Sequence, residues 1–264
     1  MLADIHVWLL GLAGLAYISA ALIRWRDLAR ASNPKRPWGL LILGIVAHLA
    51  SCLISFLFSG GADFAYASLG SLLAALAMLI GTRFMSLSSP GLLLLPVGVM
   101  AIVVAVFALI DRSHLGRNMD QRSLVFYVHI IFMAANMAAI LLAAASAGMY
   151  LVVSRQLKAA SNRALRLPQL PPLGALAQRS LLVALAMLLG GMVSGAVAIG
   201  PESHFSLFHP TIILAGLALL MVTIALLARA SQRISDRGLC WATLAILGLE
   251  VAVVVTLMAV PPHG

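Results

Sequence analysis

His48 and His129 stand inside stretches that otherwise read as lipid-soluble helix, WGLLILGIVAHLASCLISFLF and SLVFYVHIIFMAANMAAILLAAA. An imidazole at membrane depth loses its water, which costs free energy unless a partner satisfies it, so each is read first as a buried functional group. Neutral imidazoles from neighbouring helices can ligate haem iron. They can equally be packing residues satisfied by Ser, Asn or a carbonyl, and Ser51, Ser55 and Asn136 are at hand. Glu250, in LAILGLEVAVVVTLMAV, is the third intramembrane ionisable group. Its carboxyl can orient an imidazole, accept a proton, or sit protonated and hydrogen-bonded, and spacing does not choose among these.

Helical spacing puts these groups on faces. Gly44, His48, Ser51, Cys52 and Ser55 recur at offsets of three and four, a small polar column that lipid would not favour. His129, Met133 and Asn136 repeat the pattern beside an alanine-rich stretch. At 1.5 Å per residue His48 lies about 16 Å, Glu250 about 15 Å and His129 about 9 Å below the outer interface. The GMVSG run from Gly191 to Gly195 is a small-xxx-small packing contact, and Met133, Met137 and Met149 read as core filling. His6, His114, His204 and His209 fall at span starts or in outer loops, where solvated histidines are the rule. His209, beside Phe205, Phe208 and Pro210, suits the edge of a flat apolar ligand and an ordinary interfacial loop alike.

The elements that must carry these residues follow from composition. Hydrophobic residues make up 62% of the chain and charged residues 9%, against roughly 25% in soluble domains. With a mean hydropathy of +1.07, this is an all-α polytopic membrane bundle. Eight apolar runs, near 4–24, 38–59, 65–83, 91–110, 123–153, 180–199, 210–228 and 239–260, approach the roughly 20 residues that a span needs. They form one transmembrane domain over residues 1–264. The loops after spans one, three, five and seven hold every Lys and Arg except Arg112, Arg117 and Arg122, which places those loops in the cytoplasm and both termini on the outer, periplasmic side.

The same distribution accounts for the net charge of +9 without nucleic acid, since no basic run is interleaved with aromatics. Basic loops beside a membrane meet anionic lipid headgroups instead. Cys52 and Cys240 fall at different depths, so no structural disulfide is expected, and no C-x-x-C motif occurs. The first run lacks a basic leader and reads as an ordinary span. Between Arg155 and Arg179 the prolines Pro168, Pro171 and Pro172 are expected to end the fifth helix and force an extended or turning crossing.

The segment VHIIFMAANMAAILLAAASAGMYLVVSRQLK, followed by LPQLPPLGALAQRSLLVALAMLLGGMVSG, resembles the middle of the cytochrome c assembly protein family (CcsA/CcmC-type). A helix opens with a histidine, here His129, and ends in a signature read here as Tyr150-Leu151 and Gln156-Leu157-Lys158. The loop residues Leu167-Pro168 and Leu170-Pro171 and the pair Gly190-Gly191 follow in the same order, so the likeness spans residues 123–195. VAHLASCL around His48 and GLLLLPVGVMAIVV around Pro96 are similar to the eight-helix, HemX-like and YpjD-like branch. The haem-delivering members' tryptophan-rich outer motif is lacking, because Phe208-His209-Pro210-Thr211 stands there. Leu226-Leu227-Ala228-Arg229 replaces a segment that carries an outer histidine.

The resemblance implies a multi-pass protein of the bacterial inner membrane that handles haem in cytochrome c assembly or haem regulation. It carries over His48 and His129 as ligands of a b-type haem (heme b), with His209 at the outer mouth, and other haem-pathway membrane proteins as partners. No catalytic set appears, so an enzyme is not expected. Two alternatives stand beside it: a cofactor-free membrane subunit or assembly factor, and a proton-linked transporter using Glu250.

Overall fold

The computed structural model describes residues 2–30, 38–55, 69–76, 95–110, 124–159, 169–199 and 210–259. Their regular structure is eight helices: α1 (Leu2–Arg30), α2 (Trp38–Ile54), a short α3 (69–76), α4 (Leu95–Ile110), α5 (Leu124–Ala159), α6 (Leu170–Ile199), α7 (Pro210–Ala230) and α8 (Asp236–Ala259). No strand occurs among the described residues. Helices α1, α5, α6, α7 and α8 are long and apolar enough to cross a membrane, whereas α2 and α4 are shorter apolar helices. Valine-rich LPVGVMAIVVAVFALI in α4 is a weak helix former in water. It is helical here because an apolar segment packed away from water must bond its backbone groups internally.

The prolines after α5 act differently from the sequence expectation. Leu170 opens α6, so Pro171 and Pro172 fall in its first turn, where the missing N–H groups have no helical partner to lose. The sixth helix therefore starts ten residues before the apolar run that announces it, and α5 continues to Ala159. At 36 and 30 residues, α5 and α6 are about 54 and 45 Å long, well beyond a hydrocarbon core of about 30 Å. They lie along one another as the most extensively packed pair in the fold.

Helix α5 belongs to both large cores. One joins Tyr17, Leu41, Met100, Met137, Leu141, Leu173 and Val254 from six different helices. The other joins Ile140 and Ala143 of α5 to Leu181 of α6, Val222 of α7 and Ile246 of α8. Close crossings are made by glycine. A Cβ on Gly14 would lie 2.9 Å from the Gly98 carbonyl oxygen, and one on Gly98 would lie 3.0 Å from that of Gly14, so α1 and α4 touch backbone to backbone.

The α7–α8 turn is built by capping. Arg233 N–H bonds the Ala228 carbonyl at 2.8 Å and Gln232 N–H that of Arg229 at 3.1 Å, with Gln232 in the left-handed region at φ 56°. Ser235 Oγ then accepts from Gly238 N–H at 3.2 Å and caps α8. Arg229 pairs with Asp236 across this turn.

Candidate functional site

Most hydroxyls in these helices satisfy themselves locally. Ser146, Ser194, Thr223, Thr243 and Thr256 each donate to the carbonyl four residues back, which removes the cost of an exposed hydroxyl in an apolar setting. Polar groups that instead reach across helices mark the places where the fold holds something specific. Three such contacts involve the candidate residues.

The first surrounds His48. The ring is fully buried, its Nε2 lies 3.1 Å from Ser71 Oγ of α3, and the Tyr17 ring of α1 stands 6.0 Å away at 54°. One turn on, Ser51 Oγ donates to the His6 carbonyl of α1 at 2.6 Å. Gly44 is small because Tyr17 presses on it: a Cβ there would meet the ring at 2.6 Å. The polar column of α2 thus faces α1 and α3. His6 is buried with it at 4% exposure, contrary to the solvated setting expected for it, because α1 packs against α2 at this level, where Ser51 bonds the His6 carbonyl.

The second place is His129. Its Nδ1 lies 2.8 Å from the Gly191 carbonyl oxygen of α6, and its ring would be 3.0 Å from a Cβ on Gly195. A carbonyl only accepts, so Nδ1 carries the hydrogen. In the neutral ring the lone pair then sits on Nε2, which no described residue engages. Gly191 also receives Met133, whose sulfur would stand 2.8 Å from a Cβ. The GMVSG face of α6 is therefore the surface that seats His129 and Met133.

The third place joins Asn136 and Glu250. Asn136 Nδ2 donates to Glu250 Oε1 at 3.0 Å, linking α5 to α8 with both residues almost wholly buried. Asn136 Oδ1 has no partner among the described residues. Of the alternatives open for Glu250, hydrogen bonding is the arrangement present, and its partner is an amide rather than an imidazole.

The structure thus brings Asn136 and Glu250 together and leaves His48 and His129 in separate settings, one among α1, α2 and α3 and the other against α6. His114, His204 and His209 lie outside the described residues. Ser71 and Tyr17 escaped the sequence reading because neither sits on a conspicuous polar face, although a tyrosine within an apolar run was a usable signal. Met137 and Met149 are buried in the core. Neither Cys52 nor Cys240 is in a disulfide. No group of three His, Cys, Asp or Glu side chains suited to a metal ion occurs among the described residues. Compared with protein-family profiles, with curated proteins and with solved structures, the chain matches none.

Proposed function

We propose that this chain is a multi-pass protein of the bacterial inner membrane that handles haem, in cytochrome c assembly or in haem regulation, and that His129 is its iron ligand. The observation that carries this reading is the 2.8 Å bond from His129 Nδ1 to the Gly191 carbonyl. Metal-binding histidines characteristically donate their second nitrogen in this way, which fixes the tautomer and raises the basicity of the ligating Nε2. The His129 side chain is only half-buried, so an apolar macrocycle can approach the ring edge that does not face Gly191.

His48 does not fit the role of second ligand in this arrangement. It is fully enclosed, and its Nε2 is engaged with Ser71. Its part is to hold α1, α2 and α3 together. Haem bound at His129 would supply an iron centre, while the chain's own contribution is to orient the imidazole through Gly191 and to shield it with the α6 face. In the proposed topology of eight spans with both termini outside, which the distribution of lysines and arginines supports, His129 falls in the outer half of the membrane. Partners of such a protein are other membrane components of the haem pathway.

A visible absorption spectrum of purified protein tests the reading. A Soret band is expected that His129→Ala abolishes and His48→Ala preserves in a less stable protein. Purification without haem from haem-replete cells, with none bound on addition, would remove the haem function altogether. A band that survives His129→Ala would remove the assignment of the ligand.

A further inference from the structure

Arginines that end a membrane helix ordinarily find a carboxylate or water, and one group at the α5 and α8 ends finds neither carboxylate nor carbonyl. Arg155 lies over the Trp241 ring, its guanidinium carbon 5.8 Å from the centroid. Such stacking holds the planar cation while leaving its N–H edge open to an acceptor. Arg237 stands one turn before Trp241 on α8, and Lys158 one turn after Arg155 on α5, so both fall on the faces that already meet. Arg155, Lys158 and Arg237 are exposed and form no ion pair among the described residues.

The local acid cannot serve them. Asp236 is engaged by Arg229, and the other carboxylate of α5 to α8, Glu250, is fourteen residues farther along α8, about 21 Å away at 1.5 Å per residue. Among the described residues of α5 to α8 the cations are therefore left without an anion at the level where an apolar helix leaves the membrane. Trp241 is 49% exposed and Leu157 51%, so apolar surface open to an acyl chain adjoins the charges. An exposed indole at that level is the usual anchor at a membrane interface.

We propose that Arg155, Arg237 and the Trp241 indole form a binding site for the phosphate of an anionic phospholipid headgroup, with Lys158 adding charge. Guanidinium groups match phosphate oxygens in pairs, and the neighbouring apolar surface selects a lipid over a soluble phosphate ester. The site is independent of haem and stands or falls apart from it.

The test is tryptophan quenching in the full-length protein, reconstituted in phosphatidylcholine vesicles that contain a minority of brominated-chain phosphatidylglycerol or of brominated-chain phosphatidylcholine. Subtracting the signal of Trp241→Phe isolates Trp241. Brominated phosphatidylglycerol is expected to quench Trp241 preferentially, with a local enrichment of about fivefold for each arginine. Arg155→Gln with Arg237→Gln abolishes the preference, whereas the two Arg→Lys replacements retain most of it. Equal quenching of Trp241 by the two lipids in the protein with both arginines intact would overturn the proposal, and that result needs neither arginine variant to fold. So would a Trp241 signal that responds to inorganic phosphate in micelles but shows no preference for phosphatidylglycerol in vesicles.

Discussion

The Asn136–Glu250 pair shows how a single buried hydrogen bond constrains chemistry. Asn136 gives Glu250 its one observed donor, and both residues sit where water does not reach. Removing the amide leaves a carboxyl group without that donor, at a cost of about 1–3 kcal/mol. Asn136→Leu is therefore expected to lower the midpoint of thermal aggregation in detergent. Glu250→Gln keeps an oxygen acceptor and stays close to the parent. Combining Asn136→Leu with Glu250→Leu recovers much of the loss, since no polar group is then stranded. Additive losses in the double variant would show that the two side chains act independently. At this scale sequence named both residues but could not pair them, because they are 114 residues apart and meet only if α5 packs on α8.

At the scale of elements, glycine decides how closely helices approach, and its surroundings separate essential positions from replaceable ones. Gly98 meets the backbone of Gly14, which cannot yield as a flexible side chain would. Gly98→Val is expected to destabilise by about 1–3 kcal/mol through overpacking of the α1–α4 crossing. Gly148, inside α5, has nothing within 4 Å of an added Cβ. Gly148→Ala should be neutral or stabilising by up to about 1 kcal/mol, because alanine loses less backbone entropy in a helix. Thermal midpoints of the two variants in one detergent give the comparison, and a reversed order would contradict the crossing geometry. Periodicity located the helices, yet the start of α6 was hidden, because prolines that forbid a helix interior are tolerated in its first turn.

For the molecule as a whole, α5 is the organising element: it enters both large cores, seats His129 and Asn136, and ends at the basic face. The charge asymmetry of the loops is the basis of the orientation proposed for it. The turn at Ser231 belongs to the basic side and is exposed. With Cys52 and Cys240 replaced by Ser, Ser231→Cys is expected to react with an impermeant maleimide in inverted vesicles and not in intact spheroplasts. Labelling from the outside would reverse the orientation and move His129 to the inner half.

The sequence by itself determined that the chain is helical and built for lipid, and roughly where the long apolar helices lie. Hydrophobic runs with no polar alternation leave the backbone no other way to satisfy its hydrogen bonds. It also singled out His48, His129, Asn136 and Glu250, since polar groups in such runs are costly wherever they point. What each of them touches was decided only by tertiary structure. Two imidazoles in equally apolar helices became different groups because α2 turns its polar column toward Tyr17 and Ser71, while α5 sets its histidine against a glycine face that lets the ring reach the Gly191 carbonyl. Partner identity depends on which helices adjoin, and in a bundle of uniformly apolar surfaces that is settled by close packing rather than by local pattern.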